Sequence, residues 1–183
     1  MGTSSRQRIL DGAVELLRTT GGANITLESA AKQAGLSKPG LMYHFPTKEA
    51  LMLAVVDHVA SRWEQMLRRR IGDRDPGQVP VTARVRAYLE TALYEKFDRA
   101  DFAIYADAAY YPALTDAWIR RLTPWLALPP ELPAPERARL SAARMLADGY
   151  WTAQATGVFP VSEHDRAALA AVAEQLLEGG TNR

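Results

Sequence analysis

Between Ser37 and Lys48 the chain reads SKPGLMYHFPTK, which gathers two hydroxyls, a phenol, an imidazole and two ammonium groups into one short stretch. Ser37, Lys38, Tyr43, His44 and Lys48 can all donate hydrogen bonds to phosphate oxygens, and the two lysines add fixed positive charge. That chemistry suits a polyanion held along a line. It does not suit catalysis. The three histidines, His44, His58 and His164, are scattered, and no pair has metal-ligand spacing. There is no cysteine, no Gly-x-Ser-x-Gly elbow and no phosphate-cradling glycine-rich loop. The expectation is a chain that is not an enzyme and needs no metal or cofactor.

The elements that must position these groups are short helices. Thr26 caps one helix that runs to Ala34, and Gly35 makes a turn. Ser37 caps a second that ends near His44, because Pro46 forbids continuation. Helix, glycine turn, helix is the arrangement that lays its second helix in the DNA major groove. Leu27, Ala30, Ala31, Ala34, Leu36, Leu41 and Phe45 fall where such a pair needs apolar packing. Ser37, Lys38, Pro39, Gly40, Met42, Tyr43 and His44 are left facing outward. Pro39 sits in the first helical turn, where a missing N–H is tolerated. Gly40 costs about 1 kcal/mol of helix propensity against alanine, and lets the backbone approach base edges closely. Lys48, at the start of the next helix, can reach a phosphate.

This stretch resembles the TetR family of bacterial transcriptional regulators. The resemblance is carried by Ala30 and Ala31, by Gly35, Leu36 and Ser37, by Leu41, and by Tyr43, His44 and Phe45. Pro46, Thr47, Lys48, Glu49 and Leu51 continue it. It implies an all-α homodimer in which each subunit presents a recognition helix and the body binds a small effector that releases DNA. By position it implies DNA contacts at Ser37, Lys38, Gly40, Tyr43, His44 and Lys48, and Thr26 is a further candidate contact. Pro39 and Met42 stand where the family varies, and would tune the operator read. Segments DAAYYPALTDAW (107–118) and LADGYW (146–151) resemble the multidrug-responsive branch, regulators of efflux pumps that bind flat cationic compounds.

Apolar spacing is helical nearly everywhere, with no strand alternation. Ile9, Ala13, Leu16 and Leu17 stripe a first helix capped by Ser4 or Ser5 and ended by Gly21 and Gly22. Thr47 caps a long fourth helix striped by Met52, Val55, Val56, Val59, Trp63 and Met66, ending in Arg68, Arg69 and Arg70. Residues 72–80 read as a loop. Further helices are expected at about 81–97, around Phe102 to Ala109, from Pro112 to Trp125, from Glu136 to Gly157 and from Ser162 to Glu178. The proline-rich segment 128–135 is read as non-helical. The fold class is therefore all-α: an N-terminal three-helix head with the helix-turn-helix, and an all-helical C-terminal body, about nine helices in all. The domains are 1–48 for DNA binding, and 49–183 for ligand binding and dimerisation.

Aromatics concentrate in that body. Trp63, Tyr88, Phe102, Tyr105, Tyr111, Trp118 and Trp151 are candidates to line an effector cavity, and most such rings are ordinary core. Asp107 and Asp148 lie on otherwise apolar helices, where a carboxylate among aromatic rings favours a cationic ligand. The last two helices are rich in small residues, among them Ala142, Ala143, Ala147, Gly149, Ala167, Ala168 and Ala171. Two such pairs could pack as a four-helix bundle across a twofold axis.

Composition bounds the rest. The 183 residues are 48% apolar, without a run of 18 apolar residues, so a real core and no membrane span are expected. Asp11 and Glu15 break any signal-peptide core, and cytoplasmic location fits best. Residues 1–48 carry six Lys or Arg against three Asp or Glu, on a chain whose net charge is +1. The expected function is a ligand-responsive DNA-binding regulator, a repressor released by a bulky, flat, cationic molecule. The alternative is a DNA-binding dimer that answers to a protein partner, or to an apolar metabolite such as a fatty acyl compound. A constitutive architectural binder would want more charge spread along the chain.

Overall fold

Several helices of this chain begin at hydroxyl side chains that cap them, and two begin after a proline. In the computed structural model, which describes residues 4–20, 25–96 and 99–179 without the side chains of Thr20, Arg99 and Asp107, nine α-helices and no β-strand occur among the described residues. They are α1 (Ser5–Thr20), α2 (Leu27–Gln33), α3 (Lys38–His44), α4 (Lys48–Arg70), α5 (Val81–Tyr94), α6 (Arg99–Ala108), α7 (Pro112–Leu126), α8 (Ala134–Thr156) and α9 (Glu163–Glu178). Gly21 and Gly22, read as the stop of the first helix, lie outside the described residues.

The expected caps form. Ser4 Oγ accepts from Gln7 N, Ser37 Oγ from Gly40 N, Thr47 Oγ1 from Ala50 N and Ser162 Oγ from Asp165 N. Each satisfies one of the backbone donors that a helix start leaves orphaned.

Three boundaries differ from the sequence reading. The fifth helix stops at Tyr94 rather than 97: Glu95 leaves in an extended conformation, and its carboxylate lies 3.2 Å from Arg70 Nη2. The eighth helix begins at Ala134, inside the segment read as non-helical. Pro133 supplies the extended cap, and Pro135 falls in the first turn, where no N–H is required. Within 72–80 a single 3-10 turn forms at Pro76–Gln78, with Asp75 Oδ1 accepting from Gly77 N. On α4, Leu67 takes the fully buried position rather than Met66.

The chain divides into two compact units. The first comprises Met1–Arg62 with Asp98–Arg121, and the second Trp63–Phe97 with Leu122–Arg183. In the first, α1 packs on α2 and on α6, and α2 packs on α3. Its core holds Ile9, Leu10, Ala13 and Leu17 of α1, Ala30 and Ala31 of α2, Leu41 of α3, and Leu51, Val55 and Val59 of α4. Three side-chain pairings fan out from one stretch of α4 in this unit. Asp57 meets Arg121 of α7, His58 Nε2 lies 3.3 Å from Asp11 of α1, and Arg62 lies 3.8 Å from the buried Asp101 of α6.

In the second unit α5 packs chiefly on α8 and also on α9, and α8 packs on α9. Val85, Tyr88, Leu89 and Ala92 of α5 are buried, as their spacing predicts. Arg86 joins α5 to α9 by a two-pronged bond to Glu174, with Nε 3.1 Å and Nη2 2.9 Å from Oε2. That hydrogen bond holds the Arg86 guanidinium above its ordinary range, whereas burial alone pulls Arg84 below it.

Candidate nucleic-acid interface and effector region

The reading surface is built on Leu41. This side chain is 0% exposed and fixes which way α3 faces. On a helix, residues three and four apart share a face and those one or two apart do not, so burying Leu41 turns Pro39, Met42 and Tyr43 outward, while Lys38, three residues before Leu41, is exposed as the first residue of α3. Ser37, Lys38, Pro39, Met42 and Tyr43 are all exposed, Tyr43 by 86%, while Gly40 and His44 are half-buried. Phe45 plugs the far end. It leaves the helix extended, sits buried, and carries the guanidinium of Arg6 over its ring at 5.2 Å. The rings of Tyr43 and His44 meet edge-on at 5.2 Å.

Two glycines shape the motif. Gly35 takes φ +66, a left-handed conformation, which makes the turn between α2 and α3. A methyl group at Gly40 would come within 3.2 Å of Ser37 Oγ, the atom that caps α3.

Thr26 is exposed, and its oxygen is already engaged. Thr26 Oγ1 accepts from Ser29 N, and Ser29 Oγ accepts from Thr26 N, each at 3.0 Å, a closed capping box at the start of α2. Lys48 is exposed at the start of α4. Lys38 is not free. Its Nζ lies 2.9 Å from Oε1 of Glu28 in the first turn of α2. Sequence reasoning passed over Glu28; the signal was a lone carboxylate on the outer side of an otherwise cationic helix pair.

The candidate effector residues fall into two sets. In the second unit, Trp63, Tyr88 and Trp151 are 2, 7 and 4% exposed, and Trp63 meets each of the other two. The Trp63 ring lies 5.7 Å from Tyr88 and 5.6 Å, edge-on, from Trp151. Asp148 joins this set through a 2.6 Å bond from Tyr88 Oη to Oδ1, and Arg144 reaches its other oxygen at 3.2 Å. The charge of Asp148 is thus compensated from within. The four-residue spacing of Arg144 and Asp148 was the sequence signal for that pair. In the first unit, the Tyr105 and Trp118 rings approach to 6.0 Å, Phe102 is half-buried and Tyr111 is exposed. The side chain of Asp107 lies outside the described residues.

No group of three or more His, Cys, Asp or Glu that could hold a metal occurs among the described residues. No helix among them is long and apolar enough to cross a membrane.

Comparison with known proteins places the chain. The family of bacterial regulatory proteins of the tetR type matches residues 9–55, and the tetracyclin repressor-like C-terminal domain matches residues 82–178. The chain is similar to the HTH-type transcriptional regulator EthR of Mycobacterium tuberculosis (strain CDC 1551 / Oshkosh), at 29% identity over 142 residues, 75% of this chain and 64% of that protein. It is also similar to the HTH-type transcriptional regulator RutR of Escherichia coli (strain K12), at 36% identity over 61 residues, 33% of this chain and 29% of that protein. The chain thus spans no more than 64% of the length of these curated relatives.

Two solved structures share the fold. A TetR-family transcriptional regulator from Rhodococcus sp. has a TM-score of 0.72 at 17% identity, covering 96% of this chain and 100% of that one. The multidrug binding protein EbrR, complexed with malachite green, has a TM-score of 0.68 at 21% identity, covering 95% of this chain and 98% of that one. The two family matches together take in the helix-turn-helix and the helices from α5 to α9, and this chain belongs to the TetR family of bacterial transcriptional regulators, a family of DNA-binding proteins rather than enzymes.

Proposed function

We propose that the chain acts as a homodimeric, ligand-responsive repressor in the cytoplasm, in which residues 1–48 read an operator while residues 49–183 bind the effector and dimerise. The observation that carries this reading is the outward face of α3, held by the burial of Leu41. Pro39, Gly40 and Met42 are the residues proposed to face base edges in the major groove. Ser37, Lys38, Tyr43, His44 and Lys48 are proposed for the phosphates along it, and Thr26 for a phosphate at the start of α2.

Dimerisation through α8 and α9 is supported by apolar groups left bare on both helices. Met145 is 61% and Val172 51% exposed, and Ala167, Ala168 and Ala171 are exposed beside them. Small residues allow close helix crossing, and a twofold pair of reading helices is what a two-half-site operator requires.

The effector proposed is bulky and flat. Its cationic version is supported by the fold shared with EbrR, whose structures hold malachite green and ethidium, and by the Asp148 carboxylate beside Tyr88, Trp63 and Trp151. One observation favours an apolar effector instead: both oxygens of Asp148 are already engaged. Effector binding would act through α4, one unbroken helix from Lys48 to Arg70 that starts beside the reading helix and carries Trp63. A ligand shifts the equilibrium only by its differential affinity for the two states, and a coupling of about 1–3 kcal/mol would weaken operator binding roughly 5- to 150-fold.

The test is a thermal-shift screen with cationic dyes, antiseptics and fatty acyl compounds, followed by gel shift on DNA flanking the chain's own gene. A stabilising compound that releases the shifted band supports the proposal. Equal compound affinity with and without the DNA would refute the coupling.

A further inference from the structure

The pair between Lys38 and Glu28 sits where an acidic side chain should be a liability. Glu28 is the one carboxylate on α2 and α3, and its side chain is 72% exposed on the face proposed to meet a polyanion. Stability does not explain the pair. With Lys38 itself 48% exposed, an ion pair of this kind contributes little to folding. Helix electrostatics do not explain Lys38 either. It is the first residue of α3, the end at which a helix favours anions, whereas Glu28 in the first turn of α2 is well placed. The local counter-charge that Lys38 has is therefore Glu28, ten residues away on the preceding helix, at 2.9 Å.

Resting on the reading of α3 as the groove-facing helix, we propose that Glu28 is a specificity-determining residue that competes with DNA phosphate for the Lys38 ammonium. On an arbitrary duplex no phosphate is held at a fixed place, so Lys38 stays with Glu28 and the protein offers one cation fewer. On a correct site the base contacts of α3 set the register, and a phosphate then meets Lys38 at hydrogen-bond distance. The three donors of an ammonium allow that exchange without rebuilding the helix. A repulsive element of this kind lowers affinity for wrong partners more than for the right one. Glu28 acts through Lys38 and needs no base contact of its own.

The experiment uses the full chain and two probes, a mixed-sequence duplex and a duplex selected by the protein from a random pool. Anisotropy titrations are run across a series of salt concentrations. Glu28→Gln is expected to bind the mixed-sequence duplex about two- to fivefold more tightly, the scale of an exposed ion pair. Its log affinity should fall more steeply with log salt, by about 0.9 in slope, as for one added phosphate contact. The gain on the selected duplex should be smaller, so the ratio between the two falls. In a Lys38→Gln background the Glu28→Gln gain should vanish. Equal gains on both duplexes, a gain that survives Lys38→Gln, or weaker binding to the selected duplex would each overturn the proposal. If instead Lys38→Gln and Tyr43→Ala leave both affinities unchanged, the reading of α3 itself fails, and the proposal goes with it. Both side chains are exposed, so a matching melting curve for each variant checks that the fold is intact.

Discussion

Leu41 and Tyr43 lie two residues apart on the same helix, and replacing each by alanine should have opposite consequences. Leu41 is 0% exposed and locks α3 against the core of the first unit, whereas Tyr43 is 86% exposed and meets the ring of His44. Truncating a buried leucine removes its transfer free energy and leaves a cavity, about 2–5 kcal/mol of destabilisation. Truncating an exposed tyrosine away from caps and core should stay within about 0.5 kcal/mol. For DNA the order reverses. A hydrogen bond to a charged acceptor contributes about 1.5–3 kcal/mol, so losing the Tyr43 phenol should weaken duplex binding roughly 10- to 150-fold. Urea unfolding followed by far-ultraviolet dichroism gives the first pair of numbers, and anisotropy on a selected duplex at fixed salt gives the second. Tyr43→Ala losing as much stability as Leu41→Ala would show that the phenol is packed. Tyr43→Ala binding like the parent would remove this residue from the interface. Either result refutes the argument that burial of Leu41 sets the reading face.

Three further perturbations follow from the geometry. Gly35→Ala has room for the methyl but must hold φ +66, and should lose about 1–2 kcal/mol in urea unfolding, with weaker DNA binding because the turn sets the angle of α3. Arg86→Met removes a two-pronged but half-exposed pair with Glu174. A loss of no more than about 1 kcal/mol is expected, shrinking further when urea curves are repeated at high salt. Val172→Glu places a charge on the bare face of α9 without touching the core; sedimentation should show protomers where the parent sediments as a dimer, and an unchanged dimer would exclude this face from the interface.

The helices were legible because their signals are local. Ser37, Thr47 and Ser162 each cap where a hydroxyl precedes an apolar stripe, and Gly35 turns where only a left-handed residue fits. The misread boundaries have a common cause: the decisive partner was distant or the rule was positional. Glu95 leaves α5 beside Arg70, 25 residues earlier in the chain. Pro135 was counted against a helix although it occupies the one turn that accepts proline. Pro39, Met42 and Tyr43 face outward as the spacing around Leu41 predicts, whereas Gly40 and His44, read as outward, are half-buried. The partner of Lys38 did not follow from that spacing, since Glu28 belongs to another helix and only the crossing of α2 and α3 brings the two together.

The effector residues were harder to read, and Asp148 shows why. Sequence gives a carboxylate on an apolar helix; whether that charge is available depends on what surrounds it. Here Tyr88 reaches one oxygen from α5 and Arg144 the other from the preceding turn of α8. A cation entering beside Trp63 and Trp151 must therefore replace Arg144, whose side chain is 38% exposed and can turn to solvent. Removing that competitor with Arg144→Met should tighten a cationic dye and leave a neutral fatty acyl probe unchanged. Asp148→Asn should weaken the dye alone. If both variants bind the dye as the parent does, the carboxylate serves only to orient Tyr88, and the effector is recognised by apolar contact.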